Sequence, residues 1–172
     1  MSGPGPGPLF HVVLHEPEIP NNTGNIGRTC VATGCRLHLI HPLGFDTSEK
    51  ACRRAGLDYW PRLDRAEHPS WEAYLAAACP SRLWLFSTTA RACSFDAEFR
   101  AGDHLVFGKE TAGLPDPLLS RYRDRLLRLP MVAGERSLNV ATAMCAAVYE
   151  GIRQLCARGE LRLADDGTIE RV

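Results

Sequence analysis

Short apolar runs rich in β-branched and aromatic residues alternate with stretches of helical spacing along nearly the whole chain, and this alternation narrows the architecture more than any other feature. LFHVVLH, from Leu9 to His15, reads as a buried strand. After it, Asn22 and Thr23 are candidate N-caps for a helix that carries Ile26, Cys30 and Val31 on one face and stops at Gly34. CRLHLIHP, SRLWLFSTT, DHLVFG and RDRLLRLP supply four more strand-like runs, and SWEAYLAAAC, after Pro69, supplies another helix. Strands and helices in this order predict an α/β domain with a mainly parallel sheet flanked by helices.

The chain has 172 residues and 45% hydrophobic content, enough for one domain with a real core. Residues 1–8 (MSGPGPGP) read as a disordered Gly/Pro tail, 9–158 as the single domain, and 159–172 as a C-terminal tail whose Asp166-Gly167 pair suits a hairpin turn. Lys plus Arg and Asp plus Glu both number 20, so overall charge marks no nucleic-acid or membrane binder, and any such partner must be met by a local patch. No apolar run nears the roughly 20 residues that span a bilayer. The seven cysteines are scattered and never form CxxC, which fits small buried thiols in a reducing cytoplasm rather than a disulfide framework or zinc ribbon.

The last long helix, about Asn139 to Arg158, has Val140, Met144, Ala147, Val148, Ile152 and Leu155 along one face. Ala141, Cys145, Tyr149 and Cys156 make a weaker stripe roughly opposite. A helix apolar on two sides is buried on two sides, either within its own domain or against a second copy of the chain.

In open α/β sheets ligands bind beyond the carboxyl ends of the strands. Four unusual stretches lie just after such ends: IPNNTGNIGRTC, STTAR, FGKETAGLP and RLPMVAGERSLNVATA. Arg28 points away from the face of Ile26 and Cys30, which frees its guanidinium for an anionic or polar ligand, although spacing alone also suits a solvated arginine. Gly108 would let a ligand approach the backbone closely. Ser137 and Asn139 stand near a helix start, where an N-cap would explain Ser137. A metal is not expected: His11 and His15 are four residues apart on a strand, roughly 13 Å, and His38 and His41 point to opposite faces. No P-loop is present, and GNIG lacks the dinucleotide spacing.

Taken in order, NNTGNIGRTC, FGKETAGLP and MVAGERSLNVATAMCAAVYE resemble the three motifs of the SpoU branch of the SPOUT RNA methyltransferases. LHEPEIPNNTGNIGRTCVATGCRLHLIHPLGF and RRAGLDYW are similar to the small tRNA (cytidine/uridine-34) 2′-O-methyltransferases of that branch, and the likeness runs from about Leu9 to Leu155. The resemblance implies a C-terminal deep trefoil knot, S-adenosyl-L-methionine bound in it, a homodimer formed through the C-terminal helix, and a tRNA anticodon loop as substrate. It implies that Ser87, Gly108, Leu129 and Ser137 contact the methyl donor, with Met131 and Leu138 around the adenine. Arg28 and Asn25 would face the RNA and the reacting ribose, while Glu110, Asn139 and Tyr149 would support that site. Arg53, Arg54, Arg121, Arg123 and Arg125 are candidate RNA contacts. Val140, Ala141 and Thr142 depart from the Leu-Ser-Asn usual after the motif asparagine, and Lys109 from a frequent proline. Methylation of another tRNA or rRNA nucleotide, or a noncatalytic RNA-binding role, fits the same motifs.

Overall fold

Seven short strands, all parallel, run in the order β3-β2-β1-β6-β4-β7-β5 in a computed structural model that describes residues 7–54 and 56–172, except for the side chains of Glu49 and Arg53. They are β1 His11–His15, β2 Arg36–Ile40, β3 Arg65–His68, β4 Leu83–Phe86, β5 Ala92–Cys93, β6 His104–Phe107 and β7 Leu126–Arg128. The helices are α1 Pro20–Thr33, α2 Glu49–Arg54, α3 Trp71–Ala78, α4 Asp116–Arg121 and α5 Val140–Ala157. A separate antiparallel pair, β8 Leu161–Leu163 and β9 Ile169–Arg171, flanks the Asp166-Gly167 turn. The expected tail over residues 1–8 lies outside the described residues except for Gly7 and Pro8.

The central strands are covered on both faces, which is why they read as continuous apolar runs. Val12, Leu14, Leu37, Leu39, Leu105 and Phe107 pack toward α1 and α5, meeting Ile26, Cys30, Met144, Ala147 and Val148. On the other face Val13, Ile40, Leu85 and Val106 meet Trp71 and Tyr74 of α3 and Leu118 of α4. Two strands escape the sequence pattern. β3 (RAEH) is a polar edge strand held by its ladder with β2, and β5 is only two residues long.

α1 begins earlier than expected. Pro20 opens it and Ile19 is its N-cap, without a side-chain cap, so Asn22 and Thr23 lie inside the first turn. Gly34 ends it in the left-handed region (φ 67°), its N–H bonded to the Cys30 carbonyl. Gly24 and Gly27 let Leu57, Tyr59, Trp60 and Leu63 lie close against the helix. On α5 the first apolar face is buried apart from half-buried Val140, whereas Ala141, Cys145 and Cys156 are half-buried and Tyr149 is 51% exposed. All seven cysteines are free.

Four histidines from neighbouring strands meet on the α3 face: His11, His38, His68 and His104. Burial, reinforced by neighbouring histidines, pushes His38 and His104 down to about 3. His11, His15 and His68 are lowered by burial too. The folded chain therefore refuses protons that the unfolded chain takes up near pH 6.5, so stability is complete above that pH and declines as pH falls from about 6.5 toward 3. Thermal unfolding at pH 7 and pH 5 should differ by several degrees, and His38→Phe should flatten the slope.

Candidate active site

The carboxyl ends of β4, β6 and β7 open into one cleft of about 740 Å³. Phe86 and Ser87 come from β4, Phe107, Gly108 and Glu110 from β6 and its loop, and Leu129, Met131, Ser137, Leu138 and Asn139 from the segment joining β7 to α5. All six residues expected at the methyl donor line this cleft. Its lining mixes apolar and polar groups: Phe86 stacks on Phe107 at 4.7 Å, and Ser87 Oγ lies 2.8 Å from Thr89 Oγ1.

A polar chain fixes the cleft to the two main helices. The Glu110 carboxylate accepts from the backbone N–H of Glu18 (2.8 Å) and Ile19 (3.2 Å) at the start of α1, and from Asn22 Nδ2 (3.0 Å). Asn22 Oδ1 in turn accepts from Asn139 Nδ2 at 2.9 Å. Asn139 is the N-cap of α5, its Oδ1 accepting from the N–H of Ala141 and Thr142. The same loop is latched to the exit of β1: Lys109 Nζ is 2.9 Å from Glu16 Oε2, and Thr111 Oγ1 donates to Glu18 at 2.7 Å. The Glu16 bond holds the Lys109 ammonium above its ordinary value. Asn139→Ala removes both the cap and the bond to Asn22, and should cost about 1–2 kcal/mol in urea unfolding. Asn139→Asp should recover much of that, since it keeps the acceptor.

Gly108 is required for a reason other than ligand approach. A Cβ there would overlap backbone atoms of Gly113 and Leu114, because the loop folds back over its own start, with Gly113 N–H bonded to the Lys109 carbonyl at 2.8 Å. The close partner is the chain itself.

Arg28 and Asn25 border a second, smaller cavity of about 380 Å³ between α1 and residues 45–60. The Arg28 guanidinium lies 4.5 Å over the Tyr59 ring and 3.9 Å from Asp58, with its side chain 62% exposed. Tyr59 is anchored by a hydrogen bond from its hydroxyl to the Gly24 carbonyl. Burial pushes the Tyr59 phenol up, while the arginine over it pulls the other way. The first turns of α1 thus divide two cavities, Ile19 and Asn22 facing the first, Asn25 and Arg28 the second.

Tyr149 borders neither cavity. It stands almost three turns along α5 on the exposed side. Arg121, Arg123 and Arg125 are exposed but precede β7, at the strand end opposite the cleft, and Arg125 lies over Trp84. Arg54 is exposed at the end of α2, and the Arg53 side chain lies outside the described residues. Two cleft residues escaped the sequence reading: Asn22, taken for a cap, and Arg136, whose only signal was its place beside Ser137.

Known proteins place this geometry. A model of the SpoU rRNA methylase family matches residues 9–149. The tRNA (cytidine(34)-2′-O)-methyltransferase of Saccharophagus degradans is 48% identical over 148 residues, 86% of this chain and 96% of that one. A solved structure described as "Structural insights into the 2-OH methylation of C/U34 on tRNA" superposes with a TM-score of 0.79 at 47% identity, covering 87% of this chain and 97% of the other. The SpoU methyltransferase AviRb of Streptomyces viridochromogenes, in complex with AdoMet, superposes at 0.72 with 26% identity over 90% of this chain and 60% of its own. Through a match that spans most of its length and a cleft where the ordered motifs converge, the chain belongs to the SpoU rRNA methylase family.

Proposed function

We propose that the protein transfers a methyl group from S-adenosyl-L-methionine to the ribose 2′-hydroxyl of the wobble nucleotide of tRNA, a cytidine or modified uridine at position 34. The observation that carries this reading is the convergence of Ser87, Gly108, Leu129, Met131, Ser137 and Leu138 on one cleft, in a chain 48% identical to a tRNA (cytidine(34)-2′-O)-methyltransferase.

The cleft suits the donor. Its volume lies in the range of small-molecule sites, its walls offer apolar surface for an adenine, and the turns after β4, β6 and β7 offer backbone groups and hydroxyls. When bound there, S-adenosylmethionine supplies a methyl on a sulfonium centre, already electrophilic. The protein's work is then placement and charge. Arg28, with Asn25 beside it, holds the RNA phosphate and stabilises negative charge developing on the 2′-oxygen, since a guanidinium is a strong hydrogen-bond donor and a poor base. Glu110 already accepts three hydrogen bonds, so its part is to hold α1 against the cleft.

The knot belongs to this reading: residues 109–114 fold back over Gly108, and the segment from β7 to α5 crosses the same strand ends. So does a homodimer through α5. Its second stripe is only partly covered, and Tyr149 needs another chain to bring it near reacting groups. An anticodon loop, single-stranded with splayed bases, suits a small enzyme without an appended RNA domain, and acting on tRNA places it in the cytoplasm. Among the described residues no helix is long and apolar enough to cross a membrane.

Labelled S-adenosylmethionine incubated with total tRNA from cells lacking the protein, followed by nucleoside mass spectrometry and mapping, tests the reading. Label should appear as 2′-O-methylcytidine or a 2′-O-methylated uridine at position 34. Label elsewhere would overturn the substrate, and donor binding without transfer to any RNA would make the protein a noncatalytic binder.

A further inference from the structure

Away from the cleft, at the amino-terminal half of the sheet, the histidines of β1, β2, β3 and β6 form a connected group that the proposed methyl transfer does not use. His38 Nδ1 lies 3.0 Å from His68 Nε2, and His104 Nδ1 lies 2.6 Å from the Tyr74 hydroxyl. His38 Nε2 faces His11 Nδ1 at 2.9 Å. The His11 and His104 rings stack with centroids 4.0 Å apart. One ring nitrogen from each of His11, His38 and His104 lies within 4.8 Å of the other two.

A neutral imidazole has one donor and one acceptor nitrogen. If His38 donates from Nδ1 to His68, and His104 from Nδ1 to Tyr74, each keeps an Nε2 lone pair with no proton on it. A ring whose far nitrogen is held by a polar partner, leaving the near one free, is the arrangement of metal-ligating histidines. We propose that His11, His38 and His104 form a binding site for a divalent transition metal of the zinc class, with His68 and Tyr74 orienting two of the three ligands.

Distances and donor type both point this way. Metal–nitrogen bonds of about 2.0–2.1 Å put tetrahedral ligand atoms roughly 3.3 Å apart. The 2.9 Å separation of His11 and His38 and the 4.8 Å limit of the trio bracket that spacing, and loading turns the half-buried His11 ring out of its 4° stack on His104 so that both lone pairs aim at one ion. Three imidazoles without a carboxylate select zinc, nickel or copper over magnesium or calcium. His38 and His104 are buried, while His11 is half-buried, leaving one side for entry and for a water as fourth ligand. On loading, the proton of the His11–His38 contact moves to the far nitrogen of His11, so charge and protons balance without another group. Arg36, on β2 two residues before His38, has its Nε 3.4 Å from an Asp64 carboxylate oxygen.

The test uses the full chain, stripped with a chelator and titrated with zinc by calorimetry and with cobalt by visible absorption. One equivalent should bind, raise the unfolding temperature, and give a tetrahedral nitrogen–oxygen cobalt spectrum without thiolate charge transfer. His11→Asn, at a half-exposed position, should fold and abolish binding. Tyr74→Phe should weaken it about 10–100-fold. His41→Ala, which removes an exposed histidine paired with Glu67, should change nothing. Absence of stoichiometric binding, or binding that survives both His11→Asn and His104→Gln, would overturn the site.

Discussion

Arg28→Ala is expected to lower turnover about 10²–10³-fold, the usual cost of removing one donor from developing negative charge, while leaving the dissociation constant of S-adenosylmethionine essentially unchanged. The split follows from where the side chain stands. Arg28 borders the smaller cavity, across α1 from the cleft proposed to hold the donor. Its side chain is largely exposed and its ion-pair distance to Asp58 is 3.9 Å, so the fold should lose little. Arg28→Lys should recover only a small part, because an ammonium lacks the planar fork that lies over Tyr59. Single-turnover kinetics with saturating donor, beside calorimetric donor binding, separate the two quantities. Full turnover in the alanine variant would remove Arg28 from the reaction.

Gly108→Ala should fail in the complementary way, losing donor affinity by about 10–100-fold. The added methyl would overlap the backbone of Gly113 and Leu114, and backbone cannot step aside as a flexible side chain can. The loop must lift, and with it go Lys109, Glu110 and Thr111, each tied to the exit of β1 or the start of α1. Overpacking of this kind costs about 1–3 kcal/mol. Urea unfolding and donor titration together check it, and a variant that binds donor normally would mean that the loop has another route.

How much of this was readable beforehand depended on what each residue's partner was. Strands β1, β2, β4 and β6 showed as apolar runs because their burial is written in their own side chains. β3 did not, since its place comes from hydrogen bonds to β2 rather than from hydrophobic pattern. The cleft residues could be named because they follow strand ends and lie in ordered motifs. The support around Arg28 could not, as Tyr59 reaches it only through the packing of Gly24 and Gly27. Histidine spacing along single strands argued against a metal, but the cluster is built across strands, and register alone decides which rings meet.

The first turns of α1 stand between the two cavities as a shared partition. These turns offer one route for free energy that links occupancy of one cavity to occupancy of the other, through Asn22 on one side and Asn25 and Arg28 on the other. Thermodynamic reciprocity then fixes a relation between two separate measurements: the factor by which RNA alters donor affinity must equal the factor by which donor alters RNA affinity.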